Sequence, residues 1–166
     1  MLATPPLPTG PRNKGDGART VYLQPGQLLA VDQPTAITTI LGSCVAIAFW
    51  DTRREVAGLN HFMLPYPVTR GDSSPRFGSI AFLKLLAAME RFGVTRDRLR
   101  AGIFGGACVM EAFRRDGDHN GARTDAIARQ LLADASIPVV QSDLGGRRGR
   151  KLIFDAPAGA VEVRLL

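Results

Sequence analysis

Residues Val45–Trp50 read VAIAFW, an unbroken apolar run. A strand with one wet face alternates apolar and polar side chains. A short run without alternation fits a strand covered on both faces. A fold built around it needs layers on each side. The chain has 166 residues and 45% apolar content, the size of one domain with enough apolar surface for a core. That balance, with 22% charged residues, excludes a disordered chain, a collagen-like repeat and a coiled coil. No apolar run approaches the roughly 20 residues needed to span a bilayer, so membrane insertion is not expected. No basic head followed by a long apolar segment marks a secretory signal.

The neighbouring segments supply the layers. Val21–Leu23 and Leu28–Val31 read as short strands around the turn pair Pro25-Gly26. Ala36–Leu41 is rich in β-branched residues and reads as a strand, interrupted by Gly42-Ser43 before the apolar run. After a turn at Asp51–Arg54, Glu55–Phe62 returns as a strand that Pro65 and Pro67 end. Ser74-Pro75 resembles a helix start, with serine as cap and proline at the first helical position. Phe82, Leu85, Leu86 and Met89 then line one helical face as far as Gly93. Leu99–Phe104 is a strand running into Gly105-Gly106, and Asp116–Gly121 a turn-rich loop. A second helix covers about Thr124–Ala135, and Ile137–Gln141 is a strand. Lys151–Asp155 and Ala160–Leu165 form a hairpin around Pro157-Ala158-Gly159. The expected fold class is α+β: a layered sandwich of mixed, largely antiparallel β-sheets with two or three helices packed outside. Residues 1–19, with four prolines and three glycines, read as a flexible leader, and 20–166 as a single domain.

Charge and cysteine usage narrow the function classes. The formal net charge is +6 and the pI about 10.1, which permits an acidic partner without choosing one. The densest basic run is Arg147, Arg148, Arg150 and Lys151. Aromatics do not interleave with it, so a base-stacking nucleic-acid platform is unsupported. Cys44 and Cys108 are too few for a disulfide framework, and a reducing cytoplasm is the simplest compartment. Two histidines and two cysteines spread along the chain form no ligand cluster, so neither metal nor cofactor is expected.

The chemistry concentrates around Cys44 and His61. A thiol attacks as thiolate, and an adjacent imidazole can take its proton. Gly42-Ser43 break the strand just before Cys44, where a glycine lets the backbone turn and backbone N–H groups can hold an oxyanion. An antiparallel return places His61 beside the start of Val45–Trp50. Thr38 or Thr39 can then accept a hydrogen bond from the imidazole and fix its tautomer. A buried structural cysteine and a surface histidine are the bland alternative. His119 reads as a loop residue, and Gly105-Gly106 and Gly145-Gly146 as tight turns shaping a cleft rim.

The string Leu41-Gly42-Ser43-Cys44-Val45-Ala46, followed by Gly58-Leu59-Asn60-His61-Phe62-Met63-Leu64-Pro65, resembles the CheD family of chemoreceptor glutamine deamidases. Phe104-Gly105-Gly106-Ala107, Asn120-Gly121-Ala122-Arg123 and Asp143-Leu144-Gly145-Gly146 with Gly149-Arg150-Lys151 follow in the family's order. The resemblance covers about Thr20 to Leu166. It implies a nucleophilic Cys44, a base His61 and a threonine at Thr38, with Thr39 a close competitor. Ser43 and Gly42 would give backbone support to the oxyanion. Thr124 departs from the family, which often has asparagine there. The implied activity is deamidation of chemoreceptor glutamines through a thioester, in the cytoplasm. A CheC-type phosphatase is an implied partner in some bacteria. A chemotaxis adaptor with a vestigial site, or a receptor glutamyl methylesterase, are the alternatives.

Overall fold

The computed structural model describes residues 17–113, 117 and 119–166. Among the described residues nine strands form two sheets. They are β1 (Arg19–Tyr22), β2 (Leu28–Val31), β3 (Thr35–Leu41), β4 (Val45–Asp51), β5 (Val56–Asn60), β6 (Arg100–Gly105), β7 (Val139–Leu144), β8 (Arg150–Ala156) and β9 (Ala160–Leu165). Helix α1 spans Gly78–Glu90 and α2 spans Asn120–Asp134. The smaller sheet has the order β1-β3-β8-β9 and the larger β2-β5-β4-β6-β7. Among these strands β1 with β3 and β6 with β7 pair in parallel, and the other pairs are antiparallel.

Every residue of β4 is buried, as the apolar run requires. Val45, Ile47 and Phe49 enter a core shared with the helices, while Ala46, Ala48 and Trp50 enter a second core between the sheets. Helix α1 packs on β2 and β5, and α2 on β4 and β6, so both helices cover the same face of the larger sheet. Phe82 of α1 meets Phe49 edge-on at 5.7 Å. Across the inter-sheet core, Trp50 and Phe154 stand 6.1 Å apart. The molecule is therefore a three-layer α/β/β sandwich of the expected class.

Local departures have physical reasons. The turn at Pro25-Gly26 carries the chain from one sheet to the other, so β1 and β2 do not pair with each other. Helix α1 starts at Gly78, later than Ser74-Pro75 suggests. Phe77, the residue before it, is extended: Met63 and Leu64 both donate to the Arg76 carbonyl (2.8 and 3.1 Å), and Leu64 bridges Phe77. Ser74 instead accepts from the Arg76 N–H within a local turn. Helix α2 starts at Asn120, earlier than expected, because His119 caps it through a bond from the Ala122 N–H (3.2 Å). Residues 1–16 of the expected leader lie outside the described residues, and its last residue, Arg19, already opens β1.

Leu85 and Leu83 test the orientation of α1, since Leu85 is fully buried and Leu83 is 58% exposed. Leu85→Ala is expected to cost about 2–5 kcal/mol, and Leu83→Ala less than about 0.5 kcal/mol. Urea unfolding of the two variants measures the difference, and equal losses would contradict this packing.

Candidate active site

Cys44 follows β3 and leads directly into β4. The β4–β5 register pairs Ala48 with Leu59, and further along Val45 and Phe62 exchange both backbone hydrogen bonds (3.0 and 2.9 Å). Continued through this register, His61 lies opposite Ala46 and Cys44 opposite Met63. Cys44 and His61 are thus diagonal neighbours on one face of the sheet. That face looks into the inter-sheet core, against which Cys44 packs.

Between these two pairings the ladder is split. The Ile47 N–H donates to the Asn60 side-chain carbonyl at 2.8 Å, not to a backbone oxygen. Asn60 is wholly buried and immediately precedes His61. Its place beside the histidine was visible in the sequence, but its insertion into the ladder was not.

The smaller sheet supplies the third group. Thr39 Oγ1 lies 2.8 Å from His61 Nδ1 and 2.8 Å from the Leu23 carbonyl oxygen. A hydroxyl has one hydrogen, and a carbonyl can only accept. Thr39 therefore donates to Leu23 and accepts from His61 Nδ1–H. This fixes the tautomer and leaves Nε2 unprotonated. Nε2 is buried and without a hydrogen-bond partner among the described residues. The hydroxyl on the imidazole is thus that of Thr39, not Thr38. Along β3 the inward side chains are Thr35, Ile37, Thr39 and Leu41, and Thr38 points to the opposite face.

The turn carrying the thiol is braced at three successive carbonyls. Gly42 O accepts from the Ala107 N–H and Cys44 O from the Gly106 N–H, both at 2.9 Å. Ser43 O accepts from Thr124 Oγ1 at 3.0 Å. In a trans peptide the N–H points opposite to the C=O. The Ser43 and Cys44 N–H groups are therefore turned away from Ala107 and Thr124. Close approach demands glycine at 105, where a Cβ would stand 2.1 Å from the Cys44 carbonyl oxygen and φ is +111°. Gly42 is under no such demand, since a Cβ there would meet only Val109 methyls at 3.8 and 4.0 Å. Gly145 N–H donates to Gly105 O and Cys108 N–H to Gly146 O, so the second glycine pair is tied to the first and to the segment that follows it.

Ser43 opens onto a pocket of about 230 Å³ whose wall includes Cys108, Met110, His119 and Arg123. Among the described residues no three or more histidine, cysteine or acidic side chains gather as a metal cluster. None of the described helices is long and apolar enough to cross a membrane.

Burial dominates the electrostatics. It holds the His61 pKa down at about 4. It pushes the Cys44 thiol up, opposed in part by a hydrogen bond from the residue's own backbone N–H. At neutral pH the pair rests as uncharged thiol and uncharged imidazole. The thiol and Nε2 share a sheet face but make no hydrogen bond with each other at rest.

Fold and site together define an α/β/β sandwich domain bearing a thiol and an oriented imidazole at the rim of its inter-sheet core. The family model for CheD chemotactic sensory transduction matches residues 63–165. The chain is 48% identical over 153 residues to a protein of Anaeromyxobacter dehalogenans named probable chemoreceptor glutamine deamidase, covering 92% of this chain and 88% of the relative. A relative with the same designation from Sulfurimonas denitrificans is 38% identical, over 86% of this chain and 92% of the relative. The chain belongs to the CheD family. A crystal structure of a Neisseria meningitidis protein of the DUF152 family shares the fold, with a TM-score of 0.53 and 14% identity over 84% of this chain and 76% of that one.

The His61 environment makes stability depend on pH. The group titrates near 6.5 when unperturbed and near 4 in the fold. Between those values the unfolded chain binds a proton that the folded state refuses. This contribution is complete above about pH 6.5 and is lost as pH falls toward 4, by up to about 3 kcal/mol. Urea midpoints at pH 7 and pH 4.5 are expected to fall more in the wild type than in His61→Gln. Equal falls would contradict a buried neutral imidazole.

Proposed function

We propose that the chain is a protein-glutamine deamidase that converts glutamine side chains of chemoreceptors to glutamate, with Cys44 as nucleophile and His61 as base. The observation that carries the reading is the relay from the Leu23 carbonyl through Thr39 Oγ1 to His61 Nδ1. It leaves an unpartnered Nε2 on the sheet face that also bears Cys44. The names of the relatives supply the substrate.

The chemistry follows from the placement. As Cys44 Sγ bonds to the amide carbon of glutamine, its proton moves to His61 Nε2. The carbonyl oxygen becomes an oxyanion, held by the outward-turned N–H groups of Ser43 and Cys44. An imidazolium of low pKa is a strong acid and gives its proton readily to the departing nitrogen. The C–N bond breaks and ammonia leaves a thioester. Water then attacks the thioester carbon, losing a proton to Nε2, and the C–S bond breaks. Cys44 recovers its proton, and the product carries a carboxylate. The acid formed releases its proton and ammonia takes one up, so the balance is glutamine plus water to glutamate plus ammonium.

Thr39 acts through the imidazole. Incubation of a chemoreceptor cytoplasmic fragment with the enzyme should add about one dalton at glutamine, read by peptide mass spectrometry, and release ammonia. Cys44→Ala should abolish both. Thr39→Val should lower turnover by about 10–10²-fold, while Thr38→Val stays near wild type. Loss of methyl ester from a methylated fragment with no gain at any glutamine would replace deamidation by the esterase reading. Retained deamidation in Cys44→Ala would remove the thiol from the mechanism.

A further inference from the structure

The first turn of α2 touches both segments that carry the reacting groups. Thr124 is wholly buried, with Oγ1 3.0 Å from the carbonyl of Ser43, the residue before Cys44. Asn120, four residues earlier and one helical turn away, donates through Nδ2 to the carbonyl of Met63 at 2.8 Å. Met63 stands opposite Cys44 and two residues after His61. Residues four apart lie on one helical face, so one short surface grips both chains.

The Thr124 hydroxyl has three carbonyls in reach, those of Ser43, Asn120 (2.8 Å) and Gly121 (3.0 Å). It has one hydrogen to give. The Asn120 and Gly121 carbonyls lie inside α2, where they serve amides four residues on. The Ser43 carbonyl belongs to neither strand nor helix, so the hydroxyl hydrogen gains most there. The helix lies as close to this turn as glycine allows. Gly121 is pressed against the strand exit, where a Cβ would stand 2.4 Å from the Gly106 carbonyl oxygen. Gly106 in turn holds the Cys44 carbonyl.

We infer that Thr124 and Asn120 are positioning residues. Together they form a two-point clamp from α2 that sets where the Cys44 turn sits relative to the His61 strand. Neither touches the reacting atoms. Thr124 fixes the peptide between Ser43 and Cys44, whose N–H is one of the two oxyanion donors in the proposed reaction. Asn120 fixes the opposing chain. The inference rests on the deamidase reading given above and adds to it two residues that act through the backbone.

Thr124→Val keeps the shape and the β-branch and removes only the hydroxyl. It is expected to lower kcat for deamidation by about 10–10²-fold with KM changed less than about threefold, the scale on which misplacement acts. Thr124→Ser retains the hydroxyl and is expected to restore most of kcat. Asn120→Ala, at a half-buried position, is expected to lower kcat in the same direction. Should Thr124→Val not fold, the Asn120→Ala and Thr124→Ser pair still decides. Alkylation of Cys44 by iodoacetamide, followed by mass spectrometry, reports on the sulfur without any amide chemistry. Wild-type kcat in Thr124→Val, or equal losses in the valine and serine variants, would overturn the clamp. So would wild-type kcat in Asn120→Ala. If Cys44→Ala is inactive in the same assay, those results leave the deamidase reading standing. If Cys44→Ala is active, that reading fails first.

Discussion

One hydrogen bond between the sheets organises the site. His61 comes from the five-stranded sheet and Thr39 from the four-stranded one, and they meet at 2.8 Å. Because Thr39 spends its only hydrogen on Leu23, the direction of the whole chain of bonds is forced. The imidazole cannot flip its tautomer without setting a buried acceptor, Nδ1, against the lone pairs of the Thr39 oxygen. Such a mismatch costs more than the bond itself contributes. The two sheets must therefore keep their separation and register at this end for the imidazole to face the thiol correctly.

Those separations are maintained by the layers on either side. The core between the sheets holds Trp50, Phe104, Leu152 and Phe154, and the core under the helices holds Ile47, Phe49, Leu85 and Ile103. Strand β4 contributes to both, which makes it the rigid axis from which Cys44 projects. The thiol sits at the first step off that axis. Its backbone is pinned by carbonyl bonds to Gly106, Ala107 and Thr124 rather than by ladder pairing. A turn pinned in this way can aim two consecutive amides outward without being mobile.

Much of this was legible in the residues. The unbroken apolar run announced β4, and the Pro157-Ala158-Gly159 turn announced the β8–β9 hairpin. Cys44 and His61 stood out as a candidate pair through their chemistry and the resemblance to CheD, and the structure puts them on one face of the larger sheet. The choice between Thr38 and Thr39 was not legible. In Ala36–Leu41 apolar residues occur at both parities, so alternation does not reveal which threonine faces inward. Only pairing with β8 and the inter-sheet core sets the phase. Thr124 and Asn120 were hidden for a similar reason. Their partners are backbone carbonyls distant in sequence, and carbonyls leave no trace in a string of side chains. The early start of α2 depended on a histidine acting as cap, outside the usual capping residues.

The neutral resting pair has a further meaning for the sulfur. Peroxides, disulfides and electrophiles react with thiolate, and burial keeps the Cys44 proton in place at neutral pH. Reactivity toward such agents is thus suppressed by the same desolvation that surrounds the imidazole. In the proposed reaction the thiolate forms only while an acyl carbon is close enough to share its electrons, so the domain guards its sulfur chemically.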